Sequence, residues 1–192
     1  MSKDKPDSLA IDGKGTVVGI IAARYNFELV NALLESVINT LTASGVDADD
    51  IEIFRVPGSN EIPHAAALAA KTGDFDVVIG LGLIIEGGTN HDEIIGHATA
   101  NALQTAGMQF EVPIINGIIT VRNIEQAKER ISGEMDRGAE FAHAALEMAQ
   151  VSKEILQRVI DADMDSRLAD IDEVMADLDW LDDEDDDEDL DK

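Results

Sequence analysis

Val77-Val78-Ile79-Gly80-Leu81-Gly82-Leu83-Ile84-Ile85 is an unbroken apolar run, and after Glu86 the chain turns through Gly87-Gly88-Thr89-Asn90-His91 into an Ala-rich helical pattern. A run without polar alternation fits a strand, over 76–83, that is covered on both faces, as in a parallel sheet between helices. A strand that ends in a glycine turn and opens a helix presents several unpaired backbone N–H groups at one spot. Such a spot can hold a phosphate. His91 stands two residues beyond Thr89, so an anion site and a proton-transfer group lie together, which points to catalysis.

The same grammar extends in both directions. Val17-Val18-Gly19-Ile20-Ile21-Ala22-Ala23 is a second continuous apolar run. Val30, Leu33, Leu34, Val37, Ile38 and Leu41 follow at helical spacing, and Gly45 sits where that helix should stop. Ile51 to Val56 reads as a strand closed by Pro57-Gly58, and Pro63 suits the first turn of a helix through Ala70. Downstream, a helix over 92–106 precedes a fourth strand from Pro113 to Ile119. Asn123 with Gln126 resembles a capping box for a short helix to about Ser132, ended by Gly133. From about Asp136 a long helix carries Phe141, Ala145, Met148, Ile155 and Val159 on one face. Strands alternating with helices imply a parallel α/β sheet between two helix layers. Ligands of such sheets bind beyond the carboxyl ends of the strands, so loops 24–27, 57–61, 86–91 and 117–123 form the candidate rim.

Composition narrows the class. At 192 residues and 45% hydrophobic, the chain can bury one sizeable core and carry a tail. It has no cysteine, which excludes disulfides and thiolate metal sites. No signal-like segment and no span of about 18 apolar residues occurs, so the expected location is the cytoplasm and no membrane partner is expected. The formal charge is −26, and residues 161–192 hold 17 acidic residues against Arg167 and Lys192. That run repels phosphate backbones, so no nucleic-acid partner is expected.

Four motifs in order resemble the 6,7-dimethyl-8-ribityllumazine synthase family over roughly residues 12 to 150. They are Arg24-Tyr25-Asn26, Val56-Pro57-Gly58-Ser59-Asn60-Glu61-Ile62-Pro63, Gly87-Gly88-Thr89-Asn90-His91, and Asn123-Ile124-Glu125-Gln126-Ala127 with Arg130. The resemblance implies a flavodoxin-like three-layer αβα sandwich with a four-stranded parallel sheet. It implies condensation of a ribitylamino-pyrimidinedione with 3,4-dihydroxy-2-butanone 4-phosphate in riboflavin biosynthesis. By the same resemblance Gly87, Gly88 and Thr89 hold the phosphate with Arg130 of a neighbouring subunit, His91 moves protons, and Tyr25 stacks on the heterocycle. Asn26, Ser59, Asn60, Glu61, Ile85 and Asn116 bind substrate, with Arg137 and Glu140 at the edge of the site. These roles suit the residue types: histidine exchanges protons near neutral pH, and a guanidinium offers a planar fork to phosphate oxygens. No metal or organic cofactor is expected, since holding two reactants in register supplies much of such a condensation. The family's pentamer, or a shell of 60 subunits, is the implied assembly.

Several positions depart from the family pattern. The family has aromatic residues where Asn60, Asn116 and Asp92 stand, arginine at Glu86, and an acidic or small residue at Gly88. Lost rings weaken a stacking slot, and Glu86 and Asp92 add negative charge beside a dianion site. The competing reading is therefore a catalytically weakened relative serving as a scaffold, shell or flavin-precursor binding protein. Taken singly, His91 also reads as a helix cap, Arg130 as a surface charge, and His64, His97 and His143 as structural or exposed.

Domain organisation is read as an arm or short edge strand over 1–15, an α/β domain over 16–163 ending in the long helix, and an acidic tail over 164–192. In the tail Leu168, Ile171, Met175, Leu178 and Leu181 recur at helical spacing beside Trp180. A disordered solubilising extension is the favoured reading. An amphipathic helix docking into a basic or apolar groove of a protein partner is the alternative.

Overall fold

β1 (Val18–Ala23), β2 (Ile51–Val56), β3 (Val77–Ile85) and β4 (Ile114–Val121) form one parallel sheet in the order β2-β1-β3-β4, in a computed structural model that describes residues 11–133 and 135–179. The pairs run in register from Val18↔Ile51 and Val18↔Val77, and from Val78↔Ile114 to Ile85↔Val121. Every residue of β1 is buried, as is β3 up to Ile84, because these two central strands meet helices on both faces. β2 lies at one edge and exposes Ile53 and Phe54.

The helices are α1 (Phe27–Ala43), α2 (Ile62–Thr72), α3 (His91–Phe110), α4 (Ile124–Ser132) and α5 (Arg137–Asp179), with 3₁₀ turns at Ala48–Asp50 and Ser59–Glu61. Because side chains alternate along a strand, each central strand feeds two cores. On one face Ile20, Ile79, Leu81 and Leu83 pack with Leu33 and Val37 of α1, Ala127 and Ile131 of α4, and Ala142, Ala145 and Leu146 of α5. On the other, Ile21 and Val78 pack with Ile62 and Ala66 of α2 and Leu103 of α3. This is the three-layer sandwich expected from the sequence. Burying each leucine, isoleucine or valine side chain among these contributes about 1.5–3 kcal/mol before the entropy of ordering is set against it.

Helix ends follow local chemistry. Gly45, at φ 98°, lies just beyond α1, and Gly73, at φ 79°, closes α2 in a conformation that only glycine adopts freely. Asn123 Oδ1 accepts from Gln126 N–H at 2.9 Å, while Gln126 Oε1 accepts from Arg122 N–H at 3.0 Å, so the reciprocal cap forms one residue upstream of its usual reach. Observed elements are longer than their sequence expectation by a few residues: α3 starts at His91 and reaches Phe110, and β4 reaches Val121.

Two expectations change. Residues 11–15 form a turn, tied by Gly13 N–H to Ser44 O at 2.7 Å, and no strand occurs there; the remainder of the 1–15 arm lies outside the described residues. The tail is helical through Asp179, which replaces the disordered reading over 164–179, whereas Trp180 and Leu181 lie outside the described residues. The compact units divide after Ser152, and the 163/164 boundary falls within α5. In the first unit α5 buries Ala142, Ala145, Leu146 and Ala149. In the second, residues 153–179 are helical, with Ile155, Val159, Met164, Leu168 and Ile171 exposed.

Candidate active site

The loops after β1, β2 and β3 meet at the carboxyl edge of the sheet, as a parallel arrangement requires. Arg24 N–H donates to Val56 O at 2.8 Å and Tyr25 N–H to Pro57 O at 3.1 Å, which continues the β1–β2 ladder past both strand ends. Asn26 then adopts φ 55° and ψ 43°, a left-handed conformation that asparagine tolerates better than most residues. Its Nδ2 donates to Leu83 O at 3.2 Å and ties this turn to β3. The Tyr25 ring is left 73% exposed beside Gly58, where an added Cβ would lie 3.4 Å from Tyr25 Cδ2 and 3.1 Å from Glu61 Oε2.

Space for the second loop is made by β3. A Cβ on Gly82 would stand 2.5 Å from Ser59 Oγ and 3.0 Å from Ile62 Cδ1, so glycine there lets the Ser59–Glu61 turn settle against the strand. Ser59 is buried at 8% exposure, and Asn60 Nδ2 donates to Glu61 Oε1 at 3.4 Å. No simple pattern in the sequence marks Gly82 as part of the site; its role depends on a contact across the fold.

Beyond Ile85, Glu86 N–H donates to Val121 O at 2.8 Å, and the chain leaves the sheet through Gly87 and Gly88. Neither glycine has a positive φ, and a Cβ on either would meet nothing within 4 Å. Nothing among the described residues therefore demands glycine here; what its absence of side chain provides is bare backbone open to a ligand. Asn90 caps α3 without a side-chain hydrogen bond, so the first-turn N–H groups stay available, and His91 is the first helical residue. His91 is not the cap itself, and its exposed imidazole makes no hydrogen bond to a described residue.

Two concavities share the glycine turn as a wall. The first, about 690 Å³, is lined by Tyr25, Asn26, Ser59, Asn60, Glu61, Ile85, Gly87, Thr89 and His91, with Leu83 and Ile84 and with Asp92, Ile94, Ile95 and Ala98 of α3. Nine of the residues singled out from the sequence thus meet in one place. The second, about 660 Å³, joins Gly87, Gly88 and Thr89 to Arg130 on α4, and adds Glu86, Asp92, Glu93, Thr120, Arg122 and Gln126. Arg122 fell within the candidate rim loop 117–123 without being singled out, and Glu93, Ile94, Ile95 and Ala98 of α3 were absent from the sequence-derived set. Their contribution arises from which faces of β4 and α3 the sheet turns toward the rim.

Asn116, Arg137 and Glu140 line neither concavity. Asn116 pairs with Gly80 in the middle of β4, and its Oδ1 accepts from Ile118 N–H at 3.1 Å. Arg137 and Glu140 are ion-paired to each other at the start of α5. His64, His97 and His143 also lie off both concavities. Among the described residues no group of three or more His, Asp or Glu side chains could hold a metal ion, and no helix is long and apolar enough to cross a membrane.

A bare turn, a helix N-terminus, an imidazole and an arginine can together bind an anion and move a proton beside it. A slot with one exposed aromatic ring, a carboxylate and amide groups can orient a flat polar heterocycle. The family model for 6,7-dimethyl-8-ribityllumazine synthase matches residues 15–153. The protein of that name from Nitrosospira multiformis is 38% identical over 151 residues, covering 79% of this chain and 89% of the relative. Those from Cupriavidus necator and Nitrosomonas europaea are each 37% identical over 141 residues, covering 73% of this chain and 83% and 84% of the relatives.

Proposed function

The chain belongs to the 6,7-dimethyl-8-ribityllumazine synthase family, a transferase of riboflavin biosynthesis, and from that premise we propose which of its residues carry the reaction. The pyrimidine amine and the ketone of 3,4-dihydroxy-2-butanone 4-phosphate condense with loss of water. Phosphate then leaves, and ring closure with loss of a second water gives the lumazine. The observation that carries the assignment is the shared wall: Gly87 and Thr89 face both concavities, so a phosphate on the turn sits next to a heterocycle in the slot.

In this reading the pyrimidinedione lies against Tyr25, with Asn26, Ser59, Asn60 and Glu61 orienting its polar edge and the ribityl chain, and Ile85 below it. Gly87, Gly88 and Thr89 hold the phosphate with the guanidinium of Arg130, which lines the same concavity within one chain, where the resemblance implies the Arg130 of a neighbouring subunit. His91, which lines the heterocycle slot beside the shared turn and makes no hydrogen bond to a described residue, transfers protons in addition and dehydration. The weakened-scaffold alternative rested on Asn60, Glu86, Asp92 and Asn116. The retained imidazole, arginine and bare turn favour the enzyme.

The proposed assembly is a pentamer, either alone or as twelve pentamers in a shell. Asn116, Arg137 and Glu140 lie off this chain's own concavities, as they would if they served a neighbour's site, and the exposed apolar side chains of edge strand β2 suit burial between copies. The proposed location is the cytoplasm. The acidic segment 164–192 is proposed to dock a basic protein partner.

The test is lumazine formation by purified protein beside His91→Ala. His91→Ala should lower kcat by about 10²-fold with little change in thermal stability, since proton transfer by a placed side chain is worth about that much. Wild-type product no faster than the uncatalysed condensation would overturn the enzyme reading. Light scattering that shows a monomer under assay conditions would overturn the shared site.

A further inference from the structure

Arg122 is placed at the phosphate side of the site by the sheet itself. Ile85↔Val121 is the last register pair of β3 and β4, and Glu86 N–H donates to Val121 O, so Glu86 and Arg122 leave adjacent strands side by side at the carboxyl edge. Both line the concavity walled by Gly87-Gly88-Thr89, in company with Arg130. The backbone of Arg122 is pinned, because its N–H donates to Gln126 Oε1 at 3.0 Å within the α4 cap. An exposed side chain therefore starts from a fixed point beside the turn.

Charge gives this position its meaning. The walls carry Glu86, Asp92 and Glu93 against Arg122 and Arg130, so removing Arg122 would leave three carboxylates facing a phosphate dianion with one guanidinium to offset them. We propose that Arg122 is a phosphate-binding residue of this site, the second guanidinium beside Arg130, and that it offsets Glu86 so that the phosphorylated ketone can enter. The proposal rests on the reaction assigned above. It requires no neighbouring subunit, since the turn, Arg122 and the Arg130 that lines the same concavity belong to one chain.

Steady-state kinetics of the full chain, varying each substrate separately, test it with Arg122→Ala, Arg122→Lys and Glu86→Gln/Arg122→Ala. Arg122→Ala should raise KM for the phosphorylated ketone about fivefold to tenfold and weaken inhibition by inorganic phosphate in parallel. Its kcat and its KM for the pyrimidine amine should stay within about twofold of wild type. Arg122→Lys should recover most of the loss, and the double variant should return toward wild type because the opposing carboxylate has gone. An unchanged KM for the ketone in Arg122→Ala, an equal rise in both KM values, or a double variant as weak as Arg122→Ala would overturn it. A wild-type chain that forms no lumazine would instead overturn the assigned reaction, and calorimetric binding of inorganic phosphate to wild type and Arg122→Ala would still report on Arg122.

Discussion

Asn26 shows how a single residue joins backbone conformation to site geometry. Its left-handed φ of 55° is a conformation in which a Cβ-bearing chain without a local amide is strained by about 1–2 kcal/mol, and its Nδ2 bond to Leu83 O holds the β1 turn against β3. Asn26→Ala loses both, so urea unfolding should show a destabilisation of about 1–3 kcal/mol, whereas Asn26→Gly, which relieves the strain, should lose less. Gly82 makes the complementary case. Gly82→Ala drives a methyl to 2.5 Å from Ser59 Oγ, a distance that forces the Ser59–Glu61 turn outward. The expected outcome is a loss of about 1–3 kcal/mol in thermal denaturation and a raised KM for the pyrimidine substrate, with the KM for the ketone much less affected. A variant as stable as wild type would show that the turn does not depend on this contact. Tyr25, Asn26, Glu61, Thr89 and His91 were legible from their positions after strands. Gly82 was not, and Arg122 was legible only as a member of the 117–123 rim loop, since each acts through a neighbour distant in sequence or across a strand pair.

At the scale of elements, the buried strands announced themselves because β1 and β3 are apolar at every position, and the helices that cover them were legible wherever the apolar spacing was regular. Boundaries were less so. α3 extends to Phe110 through Gln104, Thr105, Gly107 and Gln109, residues that carry no apolar period and are held helical by the backbone ladder and by packing of Leu103 and Ala106. α5 reverses the problem, since its sequence keeps an apolar face well past the point where the first unit ends. Leu146 is 2% exposed, so Leu146→Ala should cost about 2–5 kcal/mol in chemical denaturation. Ile155→Ala and Leu168→Ala, each at 56% exposure, should change the same transition by no more than about 0.5 kcal/mol. A loss at Leu168 comparable to that at Leu146 would mean that the distal stripe is buried in the working assembly. α4 supplies the link from element to chemistry: Asn123→Ala removes its cap, worth about 1 kcal/mol, and should loosen Arg130 and Arg122 together.

For the molecule as a whole, the decisive quantity is where charge lies relative to the core. Residues 164–192 contain 15 acidic residues against Arg167 and Lys192, a net of −13, half of the chain's −26. Collected in a pentamer, five such segments repel one another wherever their starting points come close, and that repulsion is screened over about 8–10 Å at ordinary ionic strength. In the proposed pentamer the segment would therefore oppose assembly at low salt while contributing little to the core, because the apolar side chains described within it are exposed. Deleting 164–192 should leave the unfolding midpoint and the kcat of lumazine formation unchanged within error. It should also weaken the salt dependence of assembly, measured by light scattering from low to about 0.5 M salt, with the truncated chain retaining its full oligomer where the intact chain begins to dissociate. If the truncated chain instead failed to assemble at every salt concentration, the distal helix would be an interface between copies. Its acidic face would then have to meet the few cations it carries, Lys153, Arg158 and Arg167, on a neighbouring helix.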